Sequence, residues 1–362
     1  MKHQKQCLGC GAYLQSDDPH AAGYLPEHLL EQDDDALICQ RCYRIKHYGQ
    51  NVKFAQTVAT DQAIVSGLMW AQGIILVVDL MDFEASIPLD FASMTRGKKV
   101  IVAVNKTDLL PSRTPVDEAV TWAAKRLRYL KIAADVVGVS GVTGYGVDQL
   151  ITRLNQVHVQ RWLVMGATNV GKSSLINQLL KVHNADVRVM PTVARFPGTT
   201  LACTRWQFGD YVLSDSPGFI PEGRLSDFVC EDCVQALIPS HRLQVDLHHL
   251  HKNGALVIPG LAAVRPLDLD TEEALLIGFT AAKVSWQRAN ATKIKDWLKR
   301  GCGQCRFTEW NQLIVTVDPN NDLYIYGLGW VSVRKHQVKL ELTIPADVHY
   351  CTRPNLIGKK SE

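Results

Sequence analysis

The run GATNVGKS at 166–173 sets two glycines, a lysine and a serine at the spacing G-x-x-x-x-G-K-S. Those residue types at that spacing bind phosphate. Glycines let successive backbone N–H groups curl around the oxygens, the lysine ammonium reaches the β- and γ-phosphates, and the serine hydroxyl ligates Mg²⁺. Gly166, Gly171, Lys172 and Ser173 take these roles, and Asn169, Val170 and Ser174 complete the nucleotide-contacting loop. NKTD at 105–108 reads the base. Asp108 accepts from both the ring N–H and the exocyclic amine of guanine, a pair of donors that adenine lacks. Asn105 is expected to brace the phosphate loop and Lys106 to lie along the base. In VSG (139–141), Ser140 and Gly141 are expected to face the guanine carbonyl. GTP and GDP are therefore the expected ligands.

DSPG at 215–218 supplies Asp215, a carboxylate holding Mg²⁺ through water, and Gly218, an amide donor to the γ-phosphate. In FPGTT (196–200), Thr200 is the expected switch threonine on Mg²⁺, with Thr199 the alternative. The chemistry these residues imply is Mg²⁺-dependent attack of water on the γ-phosphate, with Lys172, Thr200, Asp215 and Gly218 as the catalytic set. Phe219 and Ile220 follow Gly218 where other GTPases place a water-orienting glutamine, and a hydrocarbon side chain cannot position water.

Eight of the ten cysteines fall in four C-x-x-C pairs. Cys7, Cys10, Cys39 and Cys42 are spaced C-x₂-C-x₂₈-C-x₂-C in a small polar region without its own core, which points to a tetrahedral zinc thiolate site. RCYRIKHY (41–48) beside it mixes cations with Tyr43 and Tyr48, which fits either RNA phosphates and bases or a solvated finger surface. Cys230/Cys233 and Cys302/Cys305 stand outside this metal set, because 68 intervening residues give no sign that the pairs meet. His248, His249 and His251 read as a polar helix end, and KIKDWLKRG (293–301) as a basic helix facing RNA or solvent.

These residues need elements to hold them. The apolar runs 73–80, 98–105, 134–140, 161–166 and 211–216 are strand-sized and mostly alternate with helical patterns such as 115–130, which predicts an α/β fold with a mainly parallel, doubly wound sheet. Both base motifs and the phosphate loop then lie at carboxyl ends of strands, where open sheets bind ligands. The expected division is a zinc-finger module over 1–50, a circularly permuted nucleotide-binding domain over 51–224 and a C-terminal α+β domain over 225–362, to which the resemblance described below assigns contact with RNA or the ribosome. With 46% hydrophobic residues, a net charge of +3 and only strand-length apolar runs, the chain reads as cytoplasmic, with no membrane and no DNA partner expected.

The motif order is base, base, phosphate, switch, switch, which is a circular permutation of the usual GTPase order. The four-cysteine finger ending CQRCYRIKHY, this order and GLGWVSV (327–333) together resemble the YqeH family of bacterial ribosome-assembly GTPases over essentially the whole chain. The resemblance implies a GTP-hydrolysing switch that binds ribosomal RNA or a small-subunit precursor. Asn169 is similar to the asparagine that holds K⁺ beside the phosphates in potassium-activated GTPases; the alternative is a turn residue. A rival reading is a zinc-containing RNA-binding module that keeps GTP as a sensing ligand with little hydrolysis, and a third is a nucleotide-driven enzyme acting on tRNA or metal delivery.

Overall fold

The computed structural model describes residues 54–183, 188–190, 204–268 and 273–358, together with residues 5, 13–17, 24–25, 30 and 37. The expected zinc ligands Cys7, Cys10, Cys39 and Cys42, the segment 41–48, and Thr199 and Thr200 lie outside the described residues.

Helix α1 (Phe54–Trp70) leads into β1 (Gly73–Asp79), α2 (Phe91–Met94) and β2 (Lys99–Asn105). Then come α3 (Val116–Tyr129), β3 (Asp135–Gly138), α4 (Val147–Gln156) and β4 (Arg161–Gly166), followed by α5 (Lys172–His183). Strands β5 (Arg188–Met190), β6 (Arg205–Phe208) and β7 (Tyr211–Asp215) complete a seven-stranded sheet in the order β3-β2-β1-β4-β7-β6-β5. The first five strands of that order are parallel and coincide with the five apolar runs; β6 and β5 extend the sheet antiparallel.

Strand β1 is buried at every position because both faces are covered, and alternate residues part to opposite sides. Ile75 and Val77 pack with Leu150 of α4 and Leu175 and Leu179 of α5. Ile74, Leu76 and Val78 pack with Ile64 and Leu68 of α1, with Trp122 and Leu127 of α3, and with residues far along the chain: Leu243, Phe279, Tyr324, Trp330 and Leu356.

Those distant residues belong mainly to a β-sandwich. After α6 (Glu231–Leu237) come β8 (Gln244–Leu250), β9 (Gly254–Ile258), β10 (Ala262–Asp268), β11 (Ala274–Thr280), β12 (Gln287–Asn290) and α7 (Ile294–Leu298). Strands β13 (Trp310–Val317), β14 (Asn321–Ile325), β15 (Gly329–Val333), β16 (Val338–Pro345) and β17 (Tyr350–Pro354) follow. They form two antiparallel sheets, β12-β9-β10-β16-β13 and β17-β14-β15-β11-β8, which share a core of Leu256, Val264, Leu340 and Leu342 from one and Leu276, Leu323, Ile325 and Val331 from the other. Leu323 and Ile325 point into this core while Tyr324 between them points at the nucleotide-binding sheet, the period-two alternation of a strand covered on both faces.

Two expectations change. The basic segment 293–301 is helical only at Lys293, the end of a 3₁₀ turn, and over the five residues of α7; Ile294 is buried, and Lys293, Lys295, Lys299 and Arg300 are exposed. The histidine-rich segment is the edge strand β8 and not a helix end, because pairing with β11 turns His248 inward and His249 outward. His249 pairs with Glu273 at 2.7 Å, and burial holds the His248 imidazole below its ordinary pKa.

Candidate functional site

Strand order reverses between β1 and β4: the chain runs outward from β1 through β2 to β3, then returns beside β1 to form β4. A crevice at such a switch point, beyond the carboxyl ends of the strands, is where doubly wound sheets bind ligands. NKTD follows β2, VSG follows β3, GATNVGKS follows β4 and DSPG follows β7, so four motifs from separate stretches of sequence meet along one edge.

Asn105 joins three of the loops. Its Nδ2 donates to the Val170 carbonyl at 2.7 Å, and its Oδ1 accepts the Gly141 N–H at 2.8 Å. Asn105 thus ties the phosphate loop to the VSG loop. It requires glycine on both sides. At Gly171 a Cβ would fall 2.4 Å from Asn105 Nδ2 and φ is +86°, while at Gly141 a Cβ would fall 2.9 Å from the Leu175 nitrogen. Gly166 is packed as tightly, its hypothetical Cβ lying 2.7 Å from the Val77 carbonyl oxygen. Asn169 is exposed and adopts φ 66°, a left-handed conformation that asparagine tolerates better than most residues.

Lys172 opens the twelve-residue helix α5 and is buried; its ammonium contacts Asp215 Oδ1, while Ser173 and Ser174 are exposed at the helix start. Burial raises the Asp215 carboxyl above the usual range, against the Lys172 ammonium, which lowers it. Asp108 is half-buried in the 3₁₀ turn Thr107–Leu109 and has no hydrogen-bond partner among the described residues. Two of the expected nucleotide-contacting residues also have partners within the chain. Lys106 donates to Asp79 Oδ2 at 2.6 Å, and the Ser140 hydroxyl accepts the Thr143 N–H at 3.0 Å to close its own turn.

The switch motif is laced to the phosphate loop. Ala167 and Phe219 form a parallel bridge, Thr168 N–H donates to the Phe219 carbonyl at 2.9 Å, and a Cβ on Gly218 would lie 3.2 Å from Thr168 Cγ2. The Phe219 ring packs into the hydrophobic clusters on both sides of the sheet. Arg224, which the sequence reading passed over, is 3% exposed; its guanidinium donates to the Thr168 carbonyl at 2.8 Å, to the Thr168 hydroxyl and to both Asp227 oxygens. Beyond it, Leu225 N–H donates to the Tyr326 carbonyl at 2.8 Å and His349 N–H to the Gly223 carbonyl at 2.9 Å, so the segment leaving the switch is sewn to the β-sandwich.

These residues fit a guanine nucleotide and Mg²⁺. The glycine-lined loop ends at a helix start with no acidic residue in its first turn, and the hydroxyl and carboxylate oxygens of Ser173 and Asp215 are the hard donors Mg²⁺ prefers. Among the described residues, the side chains whose geometry could hold a metal lie elsewhere: Cys230, Cys233, Cys302 and Cys305 bring four Sγ atoms within 4.8 Å of one another. The 68-residue separation concealed a meeting that the packing of α6 against the sandwich produces. No described helix is long and apolar enough to cross a membrane.

The permuted motif order and the shared edge of one doubly wound sheet define the class: a circularly permuted GTPase. The RsgA GTPase family model matches residues 89–222. The chain is 26% identical to the Bacillus subtilis protein YqeH, over 97% of this chain and 99% of that one. It is 30% identical to the Arabidopsis thaliana NO-associated protein 1, chloroplastic/mitochondrial, over 97% of this chain and 76% of the plant protein. It is also 30% identical to a Small ribosomal subunit biogenesis GTPase RsgA of Geobacillus, but over 38% of this chain and less than half (46%) of that one. The chain belongs to the YqeH-type family of circularly permuted GTPases.

Proposed function

We propose that the chain is a GTP-driven switch in ribosome assembly, acting in the cytoplasm on ribosomal RNA or a precursor of the small subunit. The observation that carries this reading is the stitched path from phosphate loop to sandwich: Thr168 to Arg224, then Gly223 and Leu225 to His349 and Tyr326. A change at the γ-phosphate has a short, hydrogen-bonded route into the C-terminal sheets. The relative named as a small-subunit biogenesis GTPase supports the choice of particle. A concave surface of about 630 Å³ supports an RNA partner, since Lys295, Lys299 and Arg306 line it with Phe307 and Trp310. The N-terminal finger, holding zinc through Cys7, Cys10, Cys39 and Cys42, adds a second RNA-facing surface.

In hydrolysis Asn105, Asp108 and Gly141 hold the base, and the loop from Gly166 to Ser174 holds the phosphates. Ser173 and Thr200 would hold Mg²⁺, with Asp215 reaching it through water, and the Gly218 N–H would donate to the γ-phosphate. Mg²⁺ supplies charge neutralisation on the phosphate oxygens. The Phe219 side chain cannot orient the attacking water, and K⁺, if held beside Asn169, would supply additional transition-state charge. Single-turnover hydrolysis is expected to run at least tenfold faster in K⁺ than in Na⁺, with the difference gone in Asn169→Ala. Equal rates in the two salts return Asn169 to the turn-residue reading.

The test of the main reading is co-sedimentation of the full chain with small ribosomal subunits in GDP, GTP and a non-hydrolysable analogue. Binding that differs at least tenfold between GDP and the analogue is expected, because a switch must bind its partner differently in its two states. Identical pelleting in all nucleotides, or none, overturns it. The hydrocarbon side chain of Phe219 in place of a water-orienting group favours a second reading, an RNA-binding module that senses GTP without hydrolysing it; nucleotide-dependent pelleting with no measurable turnover on the particle is its signature.

A further inference from the structure

We propose that Cys230, Cys233, Cys302 and Cys305 form a structural Zn²⁺ site that fastens the segment leaving the nucleotide site to the β-sandwich. It is separate from the four cysteines near the N-terminus and does not depend on the reading of the chain as a ribosomal switch. Four sulfurs lie within 4.8 Å of one another, and Cys230 Sγ is 3.6 Å from Cys302 Sγ. Tetrahedral Zn²⁺ with Zn–S bonds of about 2.3 Å places its sulfurs roughly 3.8 Å apart. A disulfide needs a bond of about 2.05 Å, and all four cysteines are free.

The backbone around the sulfurs is arranged for thiolates. Cys305 N–H points at Cys302 Sγ at 3.3 Å and Cys230 N–H at Cys305 Sγ at 3.0 Å, so two of the four sulfurs accept backbone donors across the cluster. The turn between Cys302 and Cys305 depends on glycine: Gly303 has φ +87°, and a Cβ on Gly301 would lie 2.8 Å from the Cys305 carbonyl oxygen. Backbone donors to the ligating atoms are the outer shell that tunes and orients a metal site.

The location gives the site its consequence. Cys230 and Cys233 flank the start of α6, six residues beyond the Arg224 that grips the phosphate loop, whereas Cys302 and Cys305 sit in the loop between α7 and β13. Helix α6 has seven residues and buries only Leu237 fully, with Val229 just before it, so it has little apolar area of its own to hold it against the sandwich. A metal linking two chain segments that far apart in sequence fixes this short helix without a larger core.

Elemental analysis of the freshly purified full chain is expected to give two zinc ions per chain. Cys302→Ser/Cys305→Ser should retain one, and Cys7→Ser/Cys10→Ser should also retain one, now held by the cluster described here. Peptide mapping of wild-type protein by thiol alkylation tests the site without any variant. Cys230, Cys233, Cys302 and Cys305 should resist alkylation until a chelator is added and then react together. One zinc per chain, unchanged in the Cys302→Ser/Cys305→Ser variant, overturns the proposal. So does free alkylation of these thiols without chelator, or a mass showing a Cys230–Cys302 disulfide in metal-free protein.

Discussion

Replacing Asp108 by Asn is expected to lower GDP affinity by about two to four orders of magnitude and to make XDP the preferred nucleotide. The carboxylate sits half-buried in the Thr107–Leu109 turn, with no partner among the described residues, so both of its oxygens are available to a ligand. Guanine offers two N–H donors there, and each hydrogen bond to a charged acceptor is worth about 1.5–3 kcal/mol. Loss of both, at about 1.4 kcal/mol per tenfold, gives the stated range. An amide instead donates to the xanthine oxygen where the carboxylate repelled it. The turn itself should survive the change, because it is held by Thr107, whose hydroxyl donates to the Val139 carbonyl at 3.0 Å. Calorimetric titration of GDP and XDP into both proteins decides the matter. A variant that still prefers GDP would show that NKTD does not read the base.

What was legible in the sequence followed from how strongly each environment constrains composition. The five parallel strands are covered on both faces, so each is written as an apolar run, and the loops at their ends were placed by that alone. Glycines at 166 and 171 were legible because the loop leaves no space for a Cβ. The antiparallel pair β5 and β6 was not, since short strands toward a sheet edge carry a weaker apolar signal. The ion pair of Lys106 was not legible either: Asp79 ends β1 directly beside the end of β2, so its carboxylate faces the lysine across the strand register. Arg224 and the C-terminal cysteines depend on which elements pack together over long separations, and neither periodicity nor spacing carries that.

The same limit hid the polar network at the join between the two sheets, where the largest effect on stability is expected. Arg353 on β17 is fully buried and contacts Glu84, 269 residues away, in the turn after β1. Its cross-strand partner Asp322 lies 3.7 Å from Nε. Its guanidinium carbon is 4.1 Å from the centre of the Tyr324 ring, 5.0 Å from that of Trp330 and 5.1 Å from that of Trp122. Its Nε and Nη2 make no hydrogen bond among the described residues and face this aromatic wall. Glu84 also accepts from Arg126 of α3 at 2.8 Å, and Trp122 Nε1 donates to the Pro354 carbonyl at 2.8 Å, so one cation ties α3, the β1 turn and the sandwich together.

Arg353→Met roughly keeps the volume and removes the charge, leaving Asp322 with the Ser332 hydroxyl, the Leu356 N–H and the charge of Arg334. Stranding a buried charge of this kind costs about 3–5 kcal/mol, which urea unfolding at pH 7.5 should register. Burial already pushes the Asp322 carboxyl up to about 6, against Arg353, which lowers it; without the arginine it rises further. A carboxylate whose folded pKa lies above its unfolded value binds more protons when folded, so its destabilising effect diminishes as pH falls through the folded pKa. The gap between variant and wild type should therefore narrow at pH 5.5, whereas a defect of packing alone would be the same at both. A loss below about 1 kcal/mol at pH 7.5, or a gap unchanged by pH, would show that the aromatic and apolar surfaces hold the join without the ion network. In that event the route from phosphate loop to sandwich would rest on Arg224 and the backbone bonds beside it, and the ion cluster would have no part in relaying nucleotide state.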